Sequence, residues 1–173
     1  MKKVEKVILV NENDRKIGEE EKLLAHTMGK LHRAFSVFIF NSKKELLLQK
    51  RVNNKYHSWN LWANTCCSHQ RPKETLEKAA HRRLKEEMGF NCELKEAFSF
   101  TYTAELENGL SEHEYDHVFL GRYNNSPSPN PAEVSEWKWV SLSELKKDLK
   151  NNPQKYASWL KIILKKHSKS LVF

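Results

Sequence analysis

Between Glu74 and Met88 the apolar residues Leu76, Ala79, Ala80, Leu84 and Met88 recur at helical spacing, and Gly89 follows them. A period near 3.6 places all five on one face of a helix, and a glycine at the end of such a run is a C-terminal stop. The same stretch carries Arg82, Arg83, Glu86 and Glu87. Residues four apart on a helix are neighbours, so Arg82 is expected beside Glu86 and Arg83 beside Glu87, on an exposed stripe opposite the apolar one. A helix with one such apolar face must pack it on another layer.

That layer is expected to be a sheet. Residues 4–11, 33–41, 45–51, 97–103, 113–123 and 136–141 are short runs rich in β-branched and aromatic residues, which read as strands. The second and third flank the turn-like "SKK" and predict a hairpin, whereas "NNSPSPNP" (124–131) is too polar and too rich in proline for either element. Two more helices are expected, one capped by Ser143 over "ELKKDL" and one from about Pro153 through "QKYASWLKIILKKH", with proline in the first turn. Strands, a helix, strands and then helices describe an α/β domain layered around a mixed sheet. The 173 residues suffice for a single domain, 1–173. The order is not a repeated βαβ pattern and no glycine-rich phosphate loop is present, which argues against a doubly wound dinucleotide fold.

The net charge of +8 fits either nucleic acid or small anions. The lysines and arginines are dispersed, and the densest group, Lys161, Lys165, Lys166 and Lys169, has the spacing of a solvated helix face. A small anionic substrate is therefore expected, not nucleic acid. With no apolar run near 18 residues and no signal-like segment, the chain is expected in the cytoplasm and not in a membrane. Three cysteines make a disulfide framework unexpected, and adjacent Cys66 and Cys67 cannot bridge without strain. Side chains of consecutive residues leave in different directions, so only one of the two thiols is expected to enter a pocket.

From Ser68 the chain reads S-x5-Glu74-x7-Arg82-Arg83-Leu84-x-Glu86-Glu87-x-Gly89-Phe90. This spacing resembles the Nudix box, G-x5-E-x7-R-E-U-x-E-E-x-G-U, with two departures. Ser68 replaces the glycine, and Arg83 replaces a glutamate that, in Nudix hydrolases, belongs to the metal-binding cluster activating water on a pyrophosphate. A cation at that position argues against hydrolysis. The wider sequence resembles the type I isopentenyl diphosphate isomerases of the same superfamily through "AHTMGKLHRAFSVFIFN", "QKR" followed by Lys55, "WANTCCSH", "TYTAE" and "EHEYDHVF", spanning roughly residues 4 to 165. "KYHSWNLWAN" lacks the Pro-Gly common before the cysteine motif.

The resemblance implies a Nudix-like α/β/α sandwich and the isomerisation of isopentenyl diphosphate to dimethylallyl diphosphate. An unactivated alkene is a very weak base, so the proton donor must sit at near-attack distance in a dry pocket, with a second acid-base group on the opposite face. By resemblance these groups are Cys67 and Glu114, with Tyr102 bonded to Glu114 as a proton shuttle and Cys66 structural. A developing cation favours aromatic faces, for which Trp159 matches the family pocket and Trp62 reads as core. Lys22, Arg51, Lys55 and Arg83 match positions that grip the diphosphate, and Glu87, helped by the Cys67 carbonyl, would hold Mg²⁺ against it. Glu112 and Glu114, two apart on a strand, share one face and repel unless something positive lies between them. The resemblance supplies that centre as a divalent metal bound also by His26, His32 and His69. Such a set, with three nitrogens and two carboxylates, suits octahedral Mn²⁺ or Mg²⁺, with Zn²⁺ the remaining alternative. The expected partner is the small diphosphate alone, the chain being a monomer or homodimer. A Nudix-type pyrophosphohydrolase of a nucleotide or prenyl diphosphate is the second reading, and a non-catalytic metal- or RNA-binding module the third.

Overall fold

The computed structural model describes residues 4–53 and 58–171. Strands β1 (Lys6–Val10) and β2 (Lys16–Glu21) form an antiparallel hairpin that runs into helix α1 (Lys22–Thr27). Then come β3 (His32–Phe40), β4 (Glu45–Arg51), the short β5 (Trp62–Ala63) and β6 (Cys66–Ser68), and helix α2 (Leu76–Met88). A long hairpin of β7 (Leu94–Glu105) and β8 (Ser111–Arg122), strand β9 (Val134–Ser141), and helices α3 (Leu142–Asn151) and α4 (Ser158–His167) complete the chain. None of the described helices is long and apolar enough to cross a membrane.

The expected hairpin of β3 and β4 is present, but the strands pair only at Phe40↔Leu46 and then splay. β3 runs parallel to β8 from His32↔Glu114 to Phe40↔Arg122 and takes β6 on its other side. β4 instead pairs antiparallel with β9 and β5. β3 is buried along almost its whole length, as befits a strand covered on both faces. Phe35, Val37 and Ile39 pack with Ala79, Ala80, Leu84 and Met88 of α2. Phe38 and Phe40 pack with Leu145 of α3 and Leu160 and Ile163 of α4. The sheet is therefore covered by helices on both faces.

Helix α2 ends as its sequence requires. Gly89 adopts φ +74° and donates its N–H to the Lys85 carbonyl, a left-handed cap that costs glycine little. A Cβ there would lie 2.0 Å from the Ser128 carbonyl oxygen. The proline-rich loop thus sits on the helix end, and the N–H groups of Ser128 and Asn130 satisfy the Met88 and Glu87 carbonyls.

Other boundaries differ from the sequence expectation for local reasons. Helix α3 is capped by Ser141, not Ser143: Ser141 lies three residues before Glu144, and the two form a capping box. The segment after Pro153 is not one helix. A 3₁₀ turn (Pro153–Lys155) precedes α4, and between them Tyr156 bridges to Trp62 while the Ala157 N–H donates to the Trp62 carbonyl. Tying the chain to β5 interrupts the helix. β2, "KIGEEE", has no apolar alternation and was not expected as a strand; it is held by backbone pairing to β1 and by an ion pair from Glu20 to Lys30.

Candidate active site

One buried cleft is lined by Lys22, Arg51, Arg83, Cys67, His69, Glu87, Tyr102, Glu112, Glu114 and Trp159. His26 and His32 lie fully buried within reach of His69 and Glu114. Lys55 lies outside the described residues.

Secondary structure converges the histidines. The β3–β8 register sets His32 directly opposite Glu114, while α1 presents His26 and the end of β6 presents His69. His26 Nδ1 lies 2.7 Å from the Lys22 carbonyl and His32 Nδ1 lies 2.7 Å from the Lys30 carbonyl. A carbonyl only accepts, so each Nδ1 carries the hydrogen and each Nε2 offers a lone pair. His32 Nε2 is 3.2 Å from His69 Nε2, which is 2.9 Å from Glu114 Oε1. One ligand atom from each of His26, His32, His69 and Glu114 falls within 4.8 Å of the others. Opposed lone pairs beside a carboxylate repel unless a proton or cation lies between them, so this donor set fits a divalent metal ion.

Burial pushes His69 down to about 3 despite its bond to Glu114, and lowers His26 with help from the charge of His32. Neutral imidazoles are the metal-binding form. Burial alone would raise Glu114, but its close contacts with His32 and His69 outweigh it and hold this carboxyl well below its ordinary range. A linkage prediction follows from the histidines. Unfolded histidine titrates near 6.5, so between about 6.5 and 3 these histidines bind more protons in the unfolded chain than in the folded one. Metal-stripped protein should lose stability as pH falls through that window and recover as it rises, read from melting temperatures in a chelator. A pH-independent melting temperature there would refute the neutral histidine assignment.

Glu112 shares the face of Glu114, as its spacing requires, but stands outside the four-atom group. The Tyr102 hydroxyl oxygen lies 2.7 Å from Glu114 Oε2 and 2.9 Å from Glu112 Oε2. A phenol has one hydrogen. It can serve only one of the two carboxylates at a time. Burial, then the charge of Glu114, pushes Glu112 well up. Tyr102 is likewise raised by burial and the two glutamates.

The cysteines separate on β6. Cys66 is fully buried in the core beneath α2, whereas Cys67 lines the cleft. Burial, then the charge of Asp116, pushes the Cys67 thiol well above its ordinary range. Asp116 received no role from the sequence, although it continues the alternation Glu112, Glu114, Asp116 on one face of β8. It is 1% exposed and accepts a 2.8 Å hydrogen bond from Ser36. Burial, then Glu114, raises this carboxyl well above its ordinary range.

The Arg82–Glu86 and Arg83–Glu87 pairs form at 3.2 and 2.5 Å. The expected exposed stripe needs correction, because Glu87 is only 4% exposed and Arg83 turns with it into the cleft. Arg82 grips Glu74 through two bonds of 2.7 and 2.9 Å, and Arg83 also holds Glu86. Glu87 takes a further 2.7 Å bond from Gln49. The carboxylates of the box are thus held by arginines and do not form an open acidic cluster. Burial alone would lower Arg83, but the charges of Glu87, Cys66 and Glu133 and the bond to Glu86 together outweigh it and raise the guanidinium above its ordinary range. Lys22 pairs with Glu5 at 3.0 Å. Arg51 stacks its guanidinium 5.3 Å from the ring centre of Trp159, and Trp159 is 3% exposed. Trp62 packs against the α3–α4 core with Lys138 4.3 Å above its ring, away from the cleft.

Residues 30–160 match the family model described as NUDIX domain. An isopentenyl-diphosphate Delta-isomerase 1 of Aromatoleum aromaticum is 56% identical over 156 residues, covering 90% of this chain and 88% of that protein. An isopentenyl-diphosphate Delta-isomerase 2 of Photorhabdus laumondii is 52% identical over 158 residues, covering 91% and 89%. Among solved structures, a Deinococcus radiodurans protein superposes with a TM-score of 0.77 at 20% identity over 94% of this chain and 99% of that one. A MutT protein of Methanosarcina mazei gives 0.65 at 20% identity over 80% and 94%; these two likenesses establish the fold alone. With Arg83 inside the box and identities above 50% over nine-tenths of its length, the chain belongs, within the Nudix fold, to the isopentenyl-diphosphate Delta-isomerase family.

Proposed function

We propose that this protein converts isopentenyl diphosphate to dimethylallyl diphosphate. The observation that carries the reading is one buried cleft combining a thiol, a glutamate joined to three histidines, an aromatic face and a cationic lining. The reaction adds one proton at the terminal carbon of the double bond and removes one from C2, so no proton or electron is consumed. In this reading Cys67 and Glu114 exchange those protons, and Tyr102, donating to Glu114, carries its proton. Trp159 presents its ring to the developing cation, worth about 2 kcal/mol or more when desolvated, and burial keeps water from that carbon. Lys22, Arg51, Arg83 and Lys55 bind the diphosphate.

His26, His32, His69 and Glu114 would hold one divalent ion, and Glu87, helped by the Cys67 carbonyl, would meet Mg²⁺ borne by the substrate. The bound ions supply positive charge that keeps Glu114 ionised and neutralises the diphosphate. With Glu112 as a fifth ligand the site suits Mn²⁺ or Mg²⁺; with the four-atom group alone it also suits Zn²⁺. Acting on a small diphosphate, the enzyme would work in the cytoplasm.

The direct test is NMR of isopentenyl diphosphate incubated with the protein and Mg²⁺ in D₂O. The expected result is dimethylallyl diphosphate carrying deuterium at the new methyl group, with the diphosphate intact. Release of phosphate without isomerisation would refute the reading in favour of a pyrophosphohydrolase.

A further inference from the structure

Asn64 lies in the segment between β5 and β6, fully buried. Its Nδ2 donates to the carbonyls of Val37 (3.0 Å) and Cys66 (3.1 Å). Its Oδ1 faces the indole Nε1–H of Trp159 at 3.0 Å and the Cys67 sulfur at 3.0 Å. Three of these four partners have fixed roles: a carbonyl only accepts and an indole N–H only donates. The amide therefore cannot be turned around, and the atom beside Cys67 must be an acceptor. The thiol consequently aims its hydrogen at Asn64, leaving the sulfur lone pairs directed elsewhere. Ser36 Oγ sits 3.6 Å from the same sulfur and directs its own hydrogen to Asp116. One oxygen thus takes a hydrogen from the thiol of β6 and another from the indole of α4.

We propose that Asn64 is a positioning residue for the isomerisation. It fixes the rotation of the Cys67 S–H and, through the same oxygen, the Trp159 ring, so that acid-base group and aromatic face keep one mutual geometry. This rests on the reading that Cys67 and Trp159 act on the substrate. Anchoring Nδ2 on two backbone carbonyls makes the amide rigid, which is what positioning needs: misplacement of a reacting group by about 1 Å can cost about 100-fold.

The test uses Asn64→Ala and Asn64→Ser in the full metal-loaded protein, the serine variant retaining a hydroxyl for the buried carbonyls should the alanine variant not fold. Two quantities are read: steady-state turnover of isopentenyl diphosphate, and the Raman S–H stretch of Cys67, isolated by subtracting the spectrum of Cys67→Ala. Expected are a fall in kcat of about 100-fold with KM changed less than about threefold, and a shift of the S–H band to that of a thiol without an acceptor. Combined with Trp159→Phe, which keeps a ring but lacks the N–H, the loss should be smaller than the product of the single losses, since the three groups act as one unit. An unmoved S–H band, or kcat within about threefold of the parent, with Cys67→Ala inactive, overturns the role of Asn64 alone. Full turnover in Cys67→Ala overturns the underlying reading of the site, and this proposal with it.

Discussion

Cys67→Ala is expected to lower turnover by about 10²- to 10⁴-fold, while Cys66→Ala keeps most of the activity. The difference comes from strand geometry, because neighbouring side chains on β6 leave on opposite sides. Cys67 faces the cleft, hydrogen-bonded to Asn64 and close to Ser36, whereas Cys66 is sealed among Ala79, Ala80 and Leu84 under α2. Losing the buried sulfur leaves a small void, which costs about 1 kcal/mol of stability and leaves the chemistry in place. Kinetics on both variants, with circular dichroism as the folding control, checks this. Comparable losses in two folded variants would show that the thiols have been assigned the wrong way round.

The second large effect concerns the metal group. Purified protein is expected to hold about one tightly bound divalent ion per chain. Replacing His26, His32 or His69 should weaken that ion by about 10- to 100-fold or more, the scale set by losses outside the ligand sphere. Glu114→Gln and Glu112→Gln should part company. Glu114 is bonded to His69 and shares its other oxygen with Tyr102, so under the proposed function its loss removes a ligand and an acid-base group together. Glu112 contacts the group through Tyr102 and stands outside the four clustered atoms. Added metal should therefore restore Glu112→Gln turnover and leave Glu114→Gln inactive. Elemental analysis of each variant, with turnover measured across metal concentration, decides it. Active enzyme without bound metal, or equal rescue of both glutamate variants, would end this assignment.

Much was legible in the chain because it depends on local periodicity. The apolar stripe of α2 and its glycine stop are visible at three- and four-residue steps, and Ala79, Ala80, Leu84 and Met88 are indeed fully buried. The alternation that puts Glu112 and Glu114 on one face is equally local, and it extends to Asp116, to which the sequence reading gave no role. The capping box at Ser141 was present as Ser-x-x-Glu, two residues before the serine that looked like the cap. The motif around "NTCCSH" and the arginine at position 83 identified the family without any coordinates.

What the sequence could not determine is set by contacts between distant segments. Two glutamates on one face are visible in the sequence, but only the β3–β8 register puts His32 opposite Glu114, while Glu112 meets the Tyr102 hydroxyl. Arg83 and Glu87 have helical spacing suited to an exposed stripe, and only the packing of α2 against the sheet turns them into the cleft. β3 and β4 read as a simple hairpin, but their splay depends on β8 and β6 claiming one strand and β9 and β5 the other. Asn64 gains its indole partner only when α4 brings Trp159 within 3.0 Å. Periodicity specifies which face a side chain takes; register and packing, which minimise unpaired buried polar groups across the whole fold, specify what that face meets.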